Sequence, residues 1–384
     1  MISLSTLNKQ TKQTLFLLVF EPIVTYIGFM IGGTVMANQL SMIAGVLSIL
    51  FIFQISNKKN RKILAYLAIY LILSLVLHEQ VEGSRMYVSA LLCSYAAFLY
   101  FLDFDEWNLS VEKADFLFLS FIIFLSIAQI TSIEDPLSFI RTNQESLEEN
   151  ALDKKGFIIS HAYGYYLATF AFYFAYRKKI LWVFILTCLC FFFARRTNLL
   201  IIAFSWMYMG YSRYGKKIYY VVVPIFAYAA FKVFNSAYMG AFAFSLDASD
   251  TDAAVFTSGR SFFWGTFLNL LTSGKMTLME YLFGMGPASS FDFNLTHAGL
   301  RVWMHNDFID LLFCMGFFGL AIYVVMLYKQ ISKLGVYFAA FAIIAGMING
   351  FVIYSTIPVL CVFSYINHLQ QESDKSRLEY DNYE

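Results

Sequence analysis

Apolar runs long enough to cross a bilayer recur along nearly the whole chain, and that recurrence leaves few folds open. A membrane-spanning helix needs roughly 20 consecutive apolar residues. Lipid offers no water to backbone N–H and C=O groups, so a spanning helix must satisfy them within itself. We read about twelve such runs, near 14–33, 35–55, 63–78, 87–102, 116–131, 157–176, 180–194, 197–211, 218–234, 306–328, 335–349 and 351–368. The expected fold is an all-α, polytopic integral membrane protein, with residues 1–384 as a single transmembrane domain. Composition points the same way. Hydrophobic residues make up 59% of the chain and charged residues 14%, against about 25% charged in soluble domains. That excess cannot be hidden in one aqueous core. The net charge of +1 supplies no global field to recruit nucleic acid.

Orientation follows from short basic loops, which stay in the cytoplasm. Lys58, Lys59, Arg61 and Lys62 fill one loop, Arg177, Lys178 and Lys179 a second, Arg213, Lys216 and Lys217 a third, and Lys329 and Lys333 a fourth. With twelve spans all four fall on one side, together with both termini. Lys9 and Lys12 precede the first apolar run without an A-x-A-like cleavage site, so that run is expected to remain as a span. The polar tail 370–384 is then cytoplasmic. Two loops on the outer side are long, near 132–156 and 235–305. The second carries Trp264, Phe267, Leu270 and Leu271 at helical spacing and a Gly284-Met285-Gly286-Pro287 turn, so it is expected to be partly folded, with one or two helices lying against the bundle.

The candidate site residues lie on that outer side. Cys93, Cys188, Cys190, Cys314 and Cys361 sit in apolar runs and read as small hydrophobes. Arg195 and Arg196 lie between two short spans, where positive charge is disfavoured. They are either a snorkelling pair or a site for an anionic group, because the guanidinium fork matches phosphate oxygens. Arg260 follows Ser258-Gly259 at an expected helix start, where it reads as a flanking surface arginine with Ser258 suited to the cap. Arg301 and Lys275 are further outer cations. His305 lies where the long loop meets the next span, with Asn306 or Asp307 as helix cap. It is an interfacial polar residue or a group that exchanges a proton near neutral pH. His161 and His78 lie near outer span ends. Glu21 is a lone intramembrane acid. Gly316 and Gly319 lie one turn apart and read as a close-packing surface. His297, His305, Asp307 and Asp310 match no metal-ligand spacing.

Taken together, these segments resemble those of the O-antigen polymerase and ligase superfamily. His305-Asn306, nine residues, then Gly316-Phe317-Phe318-Gly319-Leu320 is similar to its His-Asn-x9-Gly-x-x-Gly-aliphatic pattern. Ser258-Gly259-Arg260 with Trp264 resembles its Ser-Gly-Arg segment, Gly284-Met285-Gly286-Pro287 its following Gly-x-Gly turn, and Arg195-Arg196-Thr197 the arginine at the outer end of an earlier span. The match runs from 195 to 328, in the family's order. The resemblance implies a GT-C-like membrane glycosyltransferase of the bacterial inner membrane, with a periplasmic active site and no metal or nucleotide cofactor. Its donor would be an oligosaccharide repeat on undecaprenyl pyrophosphate. His305, Arg260, Arg195 and Arg196 would carry catalysis. Arg195, Arg196, Arg260, Arg301, His161 and Asn306 would bind substrate. Membrane lipid, a chain-length regulator and a flippase are the partners it implies. Polymerase is favoured over ligase, which would transfer the finished chain to lipid A-core. A lipid-linked oligosaccharide flippase or a structural scaffold are readings of another class. The topology makes a prediction independent of the chemistry: a tag at Glu384 stays protected in intact cells, and labelling from outside would overturn the orientation.

Overall fold

The structure, a computed structural model, describes residues 9–79, 81, 83–102, 111–131, 160–193, 196–218, 220, 224, 260–299, 303–332, 336–348, 350 and 352. Every regular element among them is helical: α1 (Lys9–Ile55), α2 (Lys58–Leu77), α3 (Ser84–Leu102), α4 (Val111–Thr131), α5 (Ser160–Tyr176), α6 (Ile180–Phe193), α7 (Arg196–Tyr214), α8 (Arg260–Thr272), α9 (Leu278–Phe283), α10 (Ser289–Ala298), α11 (Asp307–Ile331) and α12 (Val336–Ile348), with a short 3-10 turn at Gly215–Ile218. Lys58–Leu77 and Glu112–Thr131 are long and apolar enough to cross a membrane, as is Asp307–Ile331 by length and composition, though it is interrupted at Gly316. Large apolar side chains stand exposed along the bundle, among them Ile69, Leu73 and Val76 on α2 and Ile123 and Ile127 on α4. Such faces need an apolar solvent. A helical membrane protein is the fold these helices support.

Two expected spans are corrected. The runs at 14–33 and 35–55 are one helix of 47 residues, which rises about 70 Å, more than twice a hydrocarbon core. It contains no reversal, so it cannot supply two antiparallel crossings. Thr34, the one residue between the two runs, forms no turn and continues the helix. Helix α1 ends instead at Ser56, whose hydroxyl donates to Ile52 O at 2.7 Å. Asn57 then caps α2 by accepting from Asn60 N at 2.8 Å. The second correction concerns the expected outer loop 235–305. Its described part holds three helices, α8 to α10, rather than one or two. Residues 132–156, 235–259 and the tail 370–384 lie outside the described residues.

From α2 to α7 the helices alternate in direction and collect the basic loops at one end. There Asn60 Nδ2 donates to Leu99 O at 2.9 Å, tying α2 to α3. Arg177 at the end of α5 meets Asp115 in the first turns of α4, Nε to Oδ1 at 3.2 Å, and both side chains are close to nine-tenths buried. Tyr173 donates to the same carboxylate at 2.9 Å. Above this pair the contact is aromatic: Phe118 packs on Tyr173 and Phe170, and Phe172 stacks on Phe341 of α12 at 4.0 Å. Removing one member of a buried ion pair leaves the other charge unsolvated. Asp115→Ala is therefore expected to destabilise the detergent-solubilised protein by about 3–5 kcal/mol, and an Asp115→Leu/Arg177→Met pair to recover most of it. Thermal unfolding of the three proteins checks this, and equal losses in the single and double variants would contradict it.

Candidate functional site

The site is built around a break in α11. Gly316 has φ 67 and ψ −170, which no α-helix contains. In an uninterrupted helix Asp307 and Tyr323 would stand about 24 Å apart. Here the Tyr323 hydroxyl donates to Asp307 Oδ2 at 2.7 Å, and the rings of Phe308 and Tyr323 are 5.9 Å apart. The arms 307–315 and 317–331 therefore fold sharply toward each other. The expected single span at 306–328 is corrected accordingly: it is two helical arms with Gly316 at the vertex. Gly316 is also more than the packing glycine its spacing suggested, since its positive φ is one that a residue with a Cβ strongly disfavours.

The fold-back strips the last carbonyls of the first arm of their helical partners, and other elements replace them. Met285 N donates to Phe313 O at 2.9 Å and Gly286 N to Cys314 O at 3.1 Å. The Tyr70 hydroxyl of α2 donates to Met315 O at 3.3 Å. The glycine turn thus serves as an external cap for a helix it does not belong to. It reaches that position because it lacks side chains: a Cβ on Gly284 would overlap the backbone of Cys314 and Met315, and one on Gly316 would overlap the backbone of Leu282 and Gly284. The other face of the turn packs on the α2–α3 junction. His78 lies against Gly286, and Ser84 Oγ donates to Pro287 O at 2.9 Å.

His305 precedes the first arm. Its φ of 53 is a left-handed conformation, uncommon for a residue with a side chain and one that persists only where neighbours impose it. The neighbours are all fixed. Trp264 Nε1 on α8 donates to Met304 O at 2.7 Å. Met304 N donates to Asp310 Oδ1 at 3.3 Å. Asn306 proves to be the cap, its Oδ1 accepting from Phe308 N at 3.0 Å and Ile309 N at 3.1 Å. Asp307 also accepts from Val352 N at 3.3 Å. The His305 ring lies half-buried beside that of Trp303, with centroids 5.2 Å apart.

Helix α8 starts at Arg260, one turn before Trp264. Its buried Phe267 meets Phe313 edge-to-face at 5.0 Å, so α8 contacts both the His305 turn and the first arm. Arg196 is the first residue of α7 and His161 lies in the first turn of α5; the side chains of Arg196, Arg260, His161 and Glu21, and the whole of Arg195 and Arg301, lie outside the described residues. Lys275 is exposed. His297 is exposed on α10, with its Nδ1 2.9 Å from Phe293 O. Cys93, Cys188, Cys190 and Cys314 are free thiols, and Cys361 lies outside the described residues.

Sequence reasoning missed a buried polar layer beneath the His305 turn. Asp310, Tyr87 and Ser290 are at most 2% exposed, and the Tyr87 and Ser290 side chains face the Asp310 carboxyl. Ser289 Oγ lies 3.7 Å from Cys314 Sγ in the same layer. Asp307 and Asp310 carry the only available signal, two acids at the head of an apolar run. Their partners come from α3, α10 and the 350–352 turn, which no local pattern discloses. Comparison of the chain with protein-family models, with characterised proteins and with solved structures finds no match.

The glycine contact makes a sharp prediction. Gly284→Ala should cost at least about 1–3 kcal/mol, as an overpacked position does. Gly265→Ala, a helical position with open space around it, should be neutral or gain up to about 1 kcal/mol. Equal melting temperatures for the two variants would refute the cap.

Proposed function

We propose that the chain is a GT-C-like membrane glycosyltransferase, an O-antigen polymerase that joins undecaprenyl-pyrophosphate-linked oligosaccharide repeats at the periplasmic face of a bacterial inner membrane. The observation that carries the reading is a convergence. The helix behind Ser258-Gly259-Arg260, the Gly284–Pro287 turn and the His305–Gly316 arm are separate in sequence yet bonded to one another through Trp264–Met304, Met285–Phe313 and Gly286–Cys314. Their meeting point lies toward the end of the bundle opposite the basic loops, which is the periplasmic end if those loops are cytoplasmic. With α1 in place of two expected spans, one expected crossing before the Lys58 loop is lost and the N-terminus changes side relative to that loop; the expected spans near 218–234 and 351–368 lie almost wholly outside the described residues.

In this reading an acceptor sugar hydroxyl attacks the anomeric carbon of the donor. The new glycosidic bond forms as the carbon–oxygen bond to pyrophosphate breaks, and the leaving group departs with the electron pair. His305 takes the hydroxyl proton. A left-handed turn held on both sides presents one ring in one place, which is the preorganisation such a step needs. Arg260, with Arg195 and Arg196, would neutralise charge growing on the pyrophosphate. Asn306 and Arg301 would contact the sugars or the phosphates beside it, and His161 the same substrate from α5.

The test is purified protein in nanodiscs with a lipid-pyrophosphate-linked repeat, resolved on a gel. A ladder of lengthened chains is expected, slowed roughly 10²–10⁴-fold by His305→Ala. An unchanged rate in that variant would remove His305 as the base. Transfer only to lipid A-core would make the protein a ligase, and movement of intact substrate across the bilayer a flippase.

A further inference from the structure

We infer that Asp307 is a positioning residue that fixes His305 by clamping the cap of α11 to the turn at Gly350. The inference rests on the reading of His305 as proton acceptor only for its effect on turnover; the clamp itself stands on geometry. Asp307 is 1% exposed and two residues from His305. Its two oxygens reach in different directions. Oδ2 takes the Tyr323 hydroxyl from the second arm of α11, and Oδ1 takes Val352 N from beyond α12. One carboxylate thus joins both arms of the broken helix to the segment that follows α12.

The Gly350 turn is shaped to this carboxylate. Gly350 has φ 81, and a Cβ there would strike Asp307 Oδ1 and lie 2.6 Å from the Trp303 ring. The same Trp303 ring flanks His305. Gly350 therefore closes a ring of contacts that runs from the turn to Trp303, to His305 and back through Asp307. A shift of Asp307 moves the cap, and a left-handed His305 released by that shift relaxes toward the commoner negative-φ regions, which turns its ring. Misplacing a reacting group by about 1 Å can cost roughly 10²-fold in rate.

The experiment pairs a chemical readout with a kinetic one. Diethyl pyrocarbonate modification is followed by mass spectrometry at His305 and, as internal reference, at exposed His297. In Asp307→Ala, His305 is expected to react severalfold faster relative to His297, and kcat to fall roughly 10²-fold. Asp307→Asn should recover part of both, because its amide oxygen still accepts from Val352 N. Gly350→Ala should reproduce the Asp307→Ala pattern. Gly274→Ala, with a similar φ of 67 and open space around it, should not, which separates the clamp from backbone strain. If Asp307→Ala fails to insert, Asp307→Asn and Gly350→Ala decide. Unchanged His305 reactivity in inserted Asp307 and Gly350 variants overturns the clamp, whatever happens to turnover. Raised His305 reactivity in a protein whose wild type makes no ladder upholds the clamp and sinks the polymerase reading instead.

Discussion

The carbonyl groups of Phe313, Cys314 and Met315 set the constraint on which the site depends. A helix may break inside an apolar bundle only if every backbone group the break releases finds another partner, since each one left bare would cost several kcal/mol in lipid. Three donors answer the carbonyl side of that demand, two from the glycine turn and one from Tyr70. Their supply decides where segments far apart in sequence must lie. The turn has to approach the backbone of α11 closely, so it is built from glycine. Helices α9 and α10, on either side of the turn, are carried to the same place.

Once the vertex is fixed, the fold-back brings a second set of consequences. The first arm presents its N-terminus and two acids to the polar layer. The second arm returns close enough for Tyr323 to reach Asp307. The His305 turn is then held by an indole from α8, a carboxylate from its own arm and an asparagine cap. Each of these bonds is worth only about 1 kcal/mol net, or somewhat more where a charge takes part. Their value lies in direction: the indole reaches in from α8 and the other two from the first arm, so the turn is held from two elements at once. That is the physical content of a preorganised group, and it accounts for an uncommon backbone conformation at a residue with an ionisable ring.

How much of this was legible in the sequence divides along the range of the interactions. Helices α2 to α8, α11 and α12 were readable because hydrophobic run length is a local property. The cap at Asn306 was half-readable, since Asn and Asp both suit that position. The join of 14–33 to 35–55 was not, because a reversal needs a breaker and weakly apolar residues are not one. The fold-back at Gly316 was hidden for a different reason. A glycine in an apolar helix signals close packing far more often than a break, and only its partner turn tells the two apart. The glycines at 284 and 286 were visible as a turn, but nothing local says which carbonyls that turn will cap.

The buried acids show the same limit from the energetic side. Two aspartates at the head of an apolar helix look, in sequence, like ordinary first-turn residues that favour the helix dipole. At the surface that would be worth roughly 0.3–1 kcal/mol and would place no demand on the rest of the chain. Buried, each must be answered by specific donors. Asp310 is answered by the backbone of Met304 and faced by Tyr87 and Ser290, and Asp307 by Tyr323 and the backbone of Val352. The groups around the two carboxylates come from α3, α10, the far arm of α11 and the turn after α12. The two carboxylates therefore tie the position of His305 to elements spread across more than 250 residues of sequence. The chemistry proposed for this site requires its base to keep one orientation while a long lipid-linked chain enters and leaves beside it. A histidine anchored only by neighbours in sequence would not meet that requirement; this one is held through α8, both arms of α11 and the turn after α12.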